Sequence, residues 1–175
     1  MLEPILSQFL VPGTLVKAER FGSGLINETF LCGFSDSNGV RNYILQHINK
    51  SVFKRPDLVM ENVAAVTEHL QARLRREGVA DPASVTPALV RTRDGRSHLV
   101  DGAGEYWRMF HFIETGEVFD IVRDAGHAHE VGRGLGRFQT LVSDLSPGRL
   151  HDTLPGFHHT PIYLGELDEA VRKDL

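Results

Sequence analysis

The sequence predicts an α+β fold in which a mostly antiparallel sheet packs against one long helix. Three observations predict it. Three strand-like runs separated by turn-forming residues open the chain, one long amphipathic pattern follows, and three more strand-like runs come next. The predicted order over residues 1–115 is therefore β-β-β-α-β-β-β, and helical patterns dominate residues 117–175.

The first three strands are expected at residues 14–21, 28–34 and 41–48. A glycine-rich loop separates the first two, and the turn-forming run Asp36-Ser37-Asn38-Gly39 separates the second from the third. A short helix at residues 3–10 is expected to precede them, and Pro12-Gly13 would end it. Its apolar side would carry Ile5, Leu6, Phe9 and Leu10.

A long helix is expected to begin at Pro56, because proline suits the first helical position and Asp57 suits the first turn. Gly78 is a natural end for it. Apolar residues recur at spacings of three and four, which is typical of one buried stripe: Val59, Val63, Val66, Leu70 and Leu74. Arginines near its end are interpreted as a solvated helix terminus: Arg73, Arg75 and Arg76.

Three further strands are expected at residues 88–92, 96–100 and 105–113. Asp94-Gly95 predicts a hairpin between the first two of them.

A second helix is expected within about residues 121–145, and another from residue 161, with an irregular stretch at 149–160 between them. The apolar stripe of the second helix comprises Val131, Leu135, Phe138, Leu141 and Leu145. Three glycines lie within it and each lowers helix propensity by about 1 kcal/mol relative to alanine, a cost that close packing against another helix would offset: Gly132, Gly134 and Gly136. A stripe left uncovered would favour association or aggregation.

Composition excludes several classes of function. The net charge of −4 argues against binding nucleic acid or an anionic membrane surface, and no apolar run approaches the ~20 residues that span a bilayer. A single cysteine, Cys32, excludes an internal disulfide and fits a reducing, cytoplasmic location. His127 and His129 are two residues apart and would diverge on a helix, so no metal site is predicted. No nucleophile elbow supports a Ser/His/Asp hydrolase.

The run Gly22-Ser23-Gly24-Leu25-Ile26-Asn27 lies between two expected strands. A dinucleotide-binding loop would lead into a helix instead, so this arrangement is more typical of a flexible lid over nucleotide phosphates. Glycines there allow close approach and leave N–H groups free for phosphate oxygens. The residues expected to contact nucleotide are Gly22, Ser23, Gly24, Asn27 and Thr29. An ordinary hairpin turn is the alternative.

The third strand is expected to present Ile44 and Gln46 on one face. Ile44 would cover the adenine, and Gln46 would stand where protein kinases place a phosphate-pairing lysine. The long helix would supply Glu61 at the position of the kinase helix glutamate. Glutamine cannot form a salt bridge with Glu61, so only a weaker hydrogen bond would join them. Alternatively, Glu61 is an exposed helix carboxylate.

Residues 110–116 are expected to form a hinge that offers backbone groups to adenine. The residues placed for this are Phe110, His111, Phe112 and Ile113, and Met109 would line the back of the pocket. A buried central strand would explain these apolar residues equally well.

Taken together, these runs resemble the N-acetylhexosamine 1-kinases, members of the aminoglycoside phosphotransferase superfamily, along nearly the whole chain. The resemblance is carried by Gly22–Phe30, Tyr43–Asn49, Phe53–Pro56, Leu58–Val63, Trp107-Arg108, Phe112–Glu114, Gly134–Phe138 and Leu154–His158. It implies a protein-kinase-like fold, with an N-terminal nucleotide-binding lobe followed by the start of a helical C-terminal lobe. It also implies ATP- and Mg²⁺-dependent phosphorylation of a sugar hydroxyl, and it makes glutamine at position 46 unsurprising.

Members of that group carry a catalytic loop of the form H-x-D-x-x-x-x-N and a later metal-binding aspartate. Neither pattern occurs here: His151 and Asp152 are adjacent, and Asp168 lies in a helical run. The resemblance places both beyond Leu175, so no catalytic or metal-binding residue is predicted, and the chain is expected to be an inactive portion of a kinase. The alternative is a non-catalytic module that binds nucleotide or a partner. The phosphate acceptor and the oligomeric state stay open.

Overall fold

The computed structural model, which describes residues 2–114 and 119–173, confirms the α+β class. The described residues form a six-stranded antiparallel sheet and four α-helices. The helices are α1 (Glu3–Leu6), α2 (Pro56–Arg76), α3 (Ala125–Val142) and α4 (Thr160–Lys173). The strands are β1 (Thr14–Arg20), β2 (Glu28–Asp36), β3 (Gly39–His47), β4 (Leu89–Val90), β5 (Leu99–Val100) and β6 (Tyr106–His111).

The sheet runs in the order β1-β2-β3-β6-β4, and β5 also pairs with β6. The expected opening meander of three antiparallel strands is confirmed. Strand β6 then pairs with β3, with Ile44 opposite Phe110 and Gln46 opposite Arg108. This register places β6 directly beside β3, the strand that carries the predicted nucleotide-binding residues Ile44 and Gln46.

The predicted hairpin at Asp94-Gly95 is only partly correct. A turn forms there, since Gly95 has a φ of +83° and its N–H donates to the Thr92 carbonyl at 2.9 Å. However, β4 and β5 do not pair with each other in a ladder. Each pairs with β6, one after the other along the same edge, so the two strands lie end to end and not side by side.

The first helix is shorter than predicted, because α1 ends at Leu6 instead of residue 10. Leu6 and Phe9 are buried, but Leu10 is 55% exposed. The chain has left the helix by then, and the Leu10 N–H donates to the Arg91 carbonyl at 2.8 Å. Leu10 therefore does not belong to the apolar side that the helical pattern predicted.

The main core lies on one face of the sheet, beneath α1. Leu45 and Met109 are opposite each other in the register of β3 and β6, and both are completely buried. Buried side chains from α1, the segment after it, β2, β3 and β4 surround them: Leu6, Phe9, Cys32, Phe34, Tyr43 and Val90.

Helix α2 begins and ends as predicted. It starts at Pro56, and Gly78, with a φ of +86°, follows its last turn. The Val79 N–H donates to the Leu74 carbonyl at 3.0 Å, which is the backbone pattern of a glycine-terminated helix. Leu70 and Leu74 pack with Leu141 of α3 in a second buried cluster.

Of the three arginines at the end of α2, Arg75 and Arg76 are exposed as predicted, but Arg73 is not simply solvated. Arg73 contacts Asp144, just after α3, at 2.7 Å, and Glu77 forms an ion pair with Arg137 of α3. Exposed pairs of this kind each contribute about 0–1 kcal/mol, so they orient the two helices more than they stabilise them.

The apolar stripe of α3 is mostly uncovered within the described residues. Leu141 is buried, but Val131, Leu135 and Phe138 are exposed. Within those residues, close helix packing does not offset the cost of the three glycines either. A Cβ added at Gly132, Gly134 or Gly136 would meet no atom of another element within 4 Å.

No helix in residues 2–114 and 119–173 has both the length and the apolar character that crossing a membrane would require.

Burial of the one cysteine gives a pH-dependent prediction. Burial raises the pKa of the Cys32 thiol to about 11, so the folded protein keeps a proton that the unfolded chain releases above about pH 8.5. This contribution to stability is present below pH 8.5 and is lost as the pH rises toward 11. At pH 8, an aromatic disulfide that reacts with free thiols should label Cys32 in the denatured chain and leave Cys32 in the native chain almost unlabelled. Rapid labelling of the native chain would contradict the burial of Cys32.

Candidate functional site

A row of three polar side chains crosses the sheet from β2 through β3 to β6. The Gln46 amide donates to Thr29 Oγ1 at 3.1 Å, and Arg108 Nε donates to Gln46 Oε1 at 2.9 Å. The register explains this, because Thr29 and Arg108 both lie opposite Gln46. Both ends of the Gln46 amide are therefore engaged, and its orientation is fixed by its neighbours.

The same face of the sheet carries apolar side chains next to this row. Ile44 and Phe110 lie opposite each other, and each is two residues from a member of the polar row. Both are only partly buried. Side chains alternate across a strand, so Ile44, Gln46, Arg108 and Phe110 share the face opposite the main core. The structure therefore brings the predicted Ile44 and Gln46 together on one amphipathic surface.

Met109 does not join this surface. It lies opposite Leu45 and is completely buried in the main core, on the other face of the sheet. The expectation that Met109 lines the same pocket as Ile44 is therefore not met. The register puts Phe110 beside Ile44 instead.

Arg108 is the residue of this surface that the sequence did not single out. Its guanidinium carbon lies 5.3 Å from the centre of the Phe110 ring, and Nη1 lies 4.0 Å from the Met60 sulfur on α2. Burial lowers the pKa of Arg108. Among the described residues, no carboxylate lies within 4.0 Å of it.

Glu61 faces a different partner from the one expected. Its carboxylate lies 2.7 Å from His151 Nε2, and the backbone of His151 exchanges two hydrogen bonds of 2.8 Å with the Asn62 side chain. The predicted Gln46–Glu61 hydrogen bond is absent, because both groups are engaged elsewhere. His151, which sequence reasoning set aside, ties the segment after α3 to α2.

The glycine loop is anchored at its base by two asparagines. Asn27 Oδ1 accepts from the Asn49 N–H at 3.0 Å, and Asn49 Nδ2 donates to the Ile26 carbonyl at 3.1 Å. Asn27 therefore holds the loop against the segment after β3. Sequence reasoning did not give Asn49 this role, although it lies in the run carrying the resemblance.

The rest of the loop is open. Gly22 has a φ of +76°, a conformation that favours glycine, and Ser23, Gly24 and Leu25 are exposed. The loop and its flanking residues enclose a cavity of about 230 Å³, which Thr29 of the polar row also lines. The loop and the polar row are thus neighbours.

The expected hinge is held against β3 by Asn42. The backbone carbonyl of Asn42 accepts from the Phe112 N–H at 3.2 Å, and its side chain donates to Glu114 at 3.0 Å. The His111 N–H donates to the Ala88 carbonyl at 3.0 Å. The N–H groups of these two predicted adenine-binding residues are therefore already hydrogen-bonded within the protein. Within the described residues, the Ile113 N–H has no hydrogen-bond acceptor.

Phe112 also contacts the flank of the glycine loop. Its ring lies 5.7 Å from that of Phe21 in an edge-to-face arrangement, which places the loop beside the expected hinge. The end of that hinge, Thr115-Gly116, and the predicted start of the second lobe at residue 117 lie outside the described residues.

A larger cavity of about 480 Å³ lies elsewhere, between residues 52–55 and 152–163. Lys54, Arg55 and Asp152 line it together with apolar side chains. The described residues contain no cluster of three or more His, Cys, Asp or Glu side chains arranged to hold a metal ion.

In a comparison with models of known protein families, no family model matches the chain.

Proposed function

We propose that this chain is the nucleotide-binding part of an ATP-dependent small-molecule kinase with a protein-kinase-like fold. The observation that carries the proposal is the surface formed by β2, β3 and β6. Apolar Ile44 and Phe110 lie beside a polar row that begins next to the glycine loop. Such a surface suits a ligand with a flat apolar base at one end and phosphates at the other.

In this proposal, residues 1–115 bind the nucleotide and residues 117–175 begin a helical lobe. The glycine loop covers the phosphates with its backbone N–H groups, and Ile44 packs on the adenine. The Ile113 N–H is the hinge donor for adenine, since those of His111 and Phe112 are bonded within the sheet region. The resemblance to N-acetylhexosamine 1-kinases supports a sugar hydroxyl as the phosphate acceptor.

For this chain we propose nucleotide binding and do not propose catalysis of phosphoryl transfer. Phosphoryl transfer needs a base for the hydroxyl and bound Mg²⁺ in addition to a nucleotide clamp. The sequence contains no H-x-D-x-x-x-x-N loop, and the described residues offer no metal cluster. We therefore assign neither the catalytic base nor the Mg²⁺ ligands to residues described here.

A calorimetric titration of ATP into the 175-residue chain tests the proposal. Wild type should bind ATP, and Ile44→Ala should weaken binding about 10-fold, because a buried contact with the base is lost. Val40→Ala is the matched control, since Val40 is an exposed β-branched residue of the same strand, and it should bind like wild type.

Absence of ATP binding by wild type, or equal affinities for wild type and Ile44→Ala, would contradict the proposed site. Thermal melts of both variants report whether either change acts through folding instead of binding.

A further inference from the structure

Among the described residues, Arg108 is the only arginine that is not exposed and contacts no carboxylate. The two other partly buried arginines each contact one, Arg73 with Asp144 and Arg91 with Glu68, and the other arginines without such a contact are exposed. Arg108 instead donates to the neutral amide of Gln46 and lies near a thioether and an aromatic ring. It is also partly buried in the sheet–helix interface.

A partly buried cation without a carboxylate partner is an unfavourable arrangement unless an anion joins it. The neutral amide of Gln46 satisfies Nε but contributes no negative charge. The Met60 sulfur is a weak acceptor for Nη1. The guanidinium therefore keeps its full charge and part of its hydrogen-bonding capacity for a further ligand.

The position of Arg108 is significant because it borders the predicted phosphate end of the surface. Gln46 stands where a phosphate-pairing lysine is expected, and Arg108 is its direct neighbour on β6. On the other side, Gln46 is bonded to Thr29, which lines the cavity of the glycine loop. Arg108, on the neighbouring strand, therefore carries the positive charge that glutamine at position 46 lacks.

We propose that Arg108 binds a phosphate group of the nucleotide and that Gln46 positions its guanidinium for this contact. This inference rests on the proposed function, because it assumes that a nucleotide occupies the surface. The planar guanidinium offers paired donors that match phosphate oxygens, and a partly buried site strengthens the attraction. Gln46 holds the side chain through Nε, and the terminal nitrogens make no hydrogen bond to its amide.

A purely structural role for Arg108 makes a different prediction. Packing against Phe110 and Met60 would stabilise the interface between the sheet and α2 whatever ligand is bound. Removing the side chain would then affect nucleosides and nucleotides alike. A phosphate contact would affect only ligands that carry phosphate.

The test is a set of calorimetric titrations with ATP and with adenosine, using the full chain. Wild type should bind ATP more tightly than adenosine. Arg108→Met should lower the affinity for ATP about 10- to 100-fold, the usual effect of losing a charge-assisted contact, and leave that for adenosine unchanged. Arg108→Gln, which is neutral but polar, should behave in the same way and replaces Arg108→Met if that variant does not fold. Arg41→Met, a strand arginine already paired with Asp36, is the control and should match wild type.

Three results would overturn the inference. Equal ATP affinity in wild type and both Arg108 variants would exclude the contact while leaving the proposed function intact. An equal loss of ATP and adenosine binding would show a structural role. Failure of wild type to bind either ligand would refute the proposed function itself, and the role of Arg108 with it.

Discussion

Replacing Leu45 with alanine is expected to lower the free energy of unfolding by about 2–5 kcal/mol. Leu45 lies in β3, is completely buried and faces Phe30 on one side and Met109 on the other. Truncation there removes apolar contacts and leaves a cavity that neighbouring strands cannot easily close. Urea denaturation followed by circular dichroism measures the change.

Val40→Ala provides the control for Leu45→Ala, because Val40 lies in the same strand but is exposed. Its free energy of unfolding should stay within about 0.5 kcal/mol of wild type. If Leu45→Ala also stayed within that range, the core would not lie on the face of the sheet described here.

Replacing Gly13 with alanine is expected to be comparably damaging, by about 2–4 kcal/mol, for a different reason. Gly13 has a φ of +89°, and an added Cβ would lie 2.2 Å from the Ser35 carbonyl oxygen. Alanine disfavours this positive φ, and its Cβ would clash with the Ser35 carbonyl oxygen. That oxygen belongs to the backbone and cannot rotate away as a side chain could. The change should lower the melting temperature by several degrees.

Gly102→Ala is the matched substitution for Gly13→Ala. An added Cβ at Gly102 would meet no atom within 4 Å, so its melting temperature should stay near that of wild type. Equal melting temperatures for the two variants would mean that the chain does not turn at Gly13 as described.

Short sequence patterns correctly predicted the parts of the fold that depend only on residues close together in the chain. Helix α2 begins at Pro56 and ends just before Gly78, because proline suits the first helical position and glycine suits the residue after the last turn. The turn after Asp36 predicted the β2–β3 hairpin for the same reason. By contrast, β4 pairs with β6 across the intervening β5, and no single turn specifies that pairing, whereas β5 joins β6 through the short turn at residues 101–104.

The candidate site shows the same division. Strand alternation correctly predicted that Ile44 and Gln46 share a face, because alternation is a local property. The roles of Met109 and Arg108 depend on the register between β3 and β6, which the sequence does not reveal. The bond between Glu61 and His151 joins residues 90 apart in sequence and depends on how the chain returns to α2.

Amide hydrogen exchange with and without ATP tests the central claim most directly. Binding at the proposed surface predicts slower exchange in residues 22–29, 44–47 and 110–114, with residues 52–55 and 152–163 unchanged. Protection confined to the cavity between those last two segments, or no protection anywhere, would contradict the account.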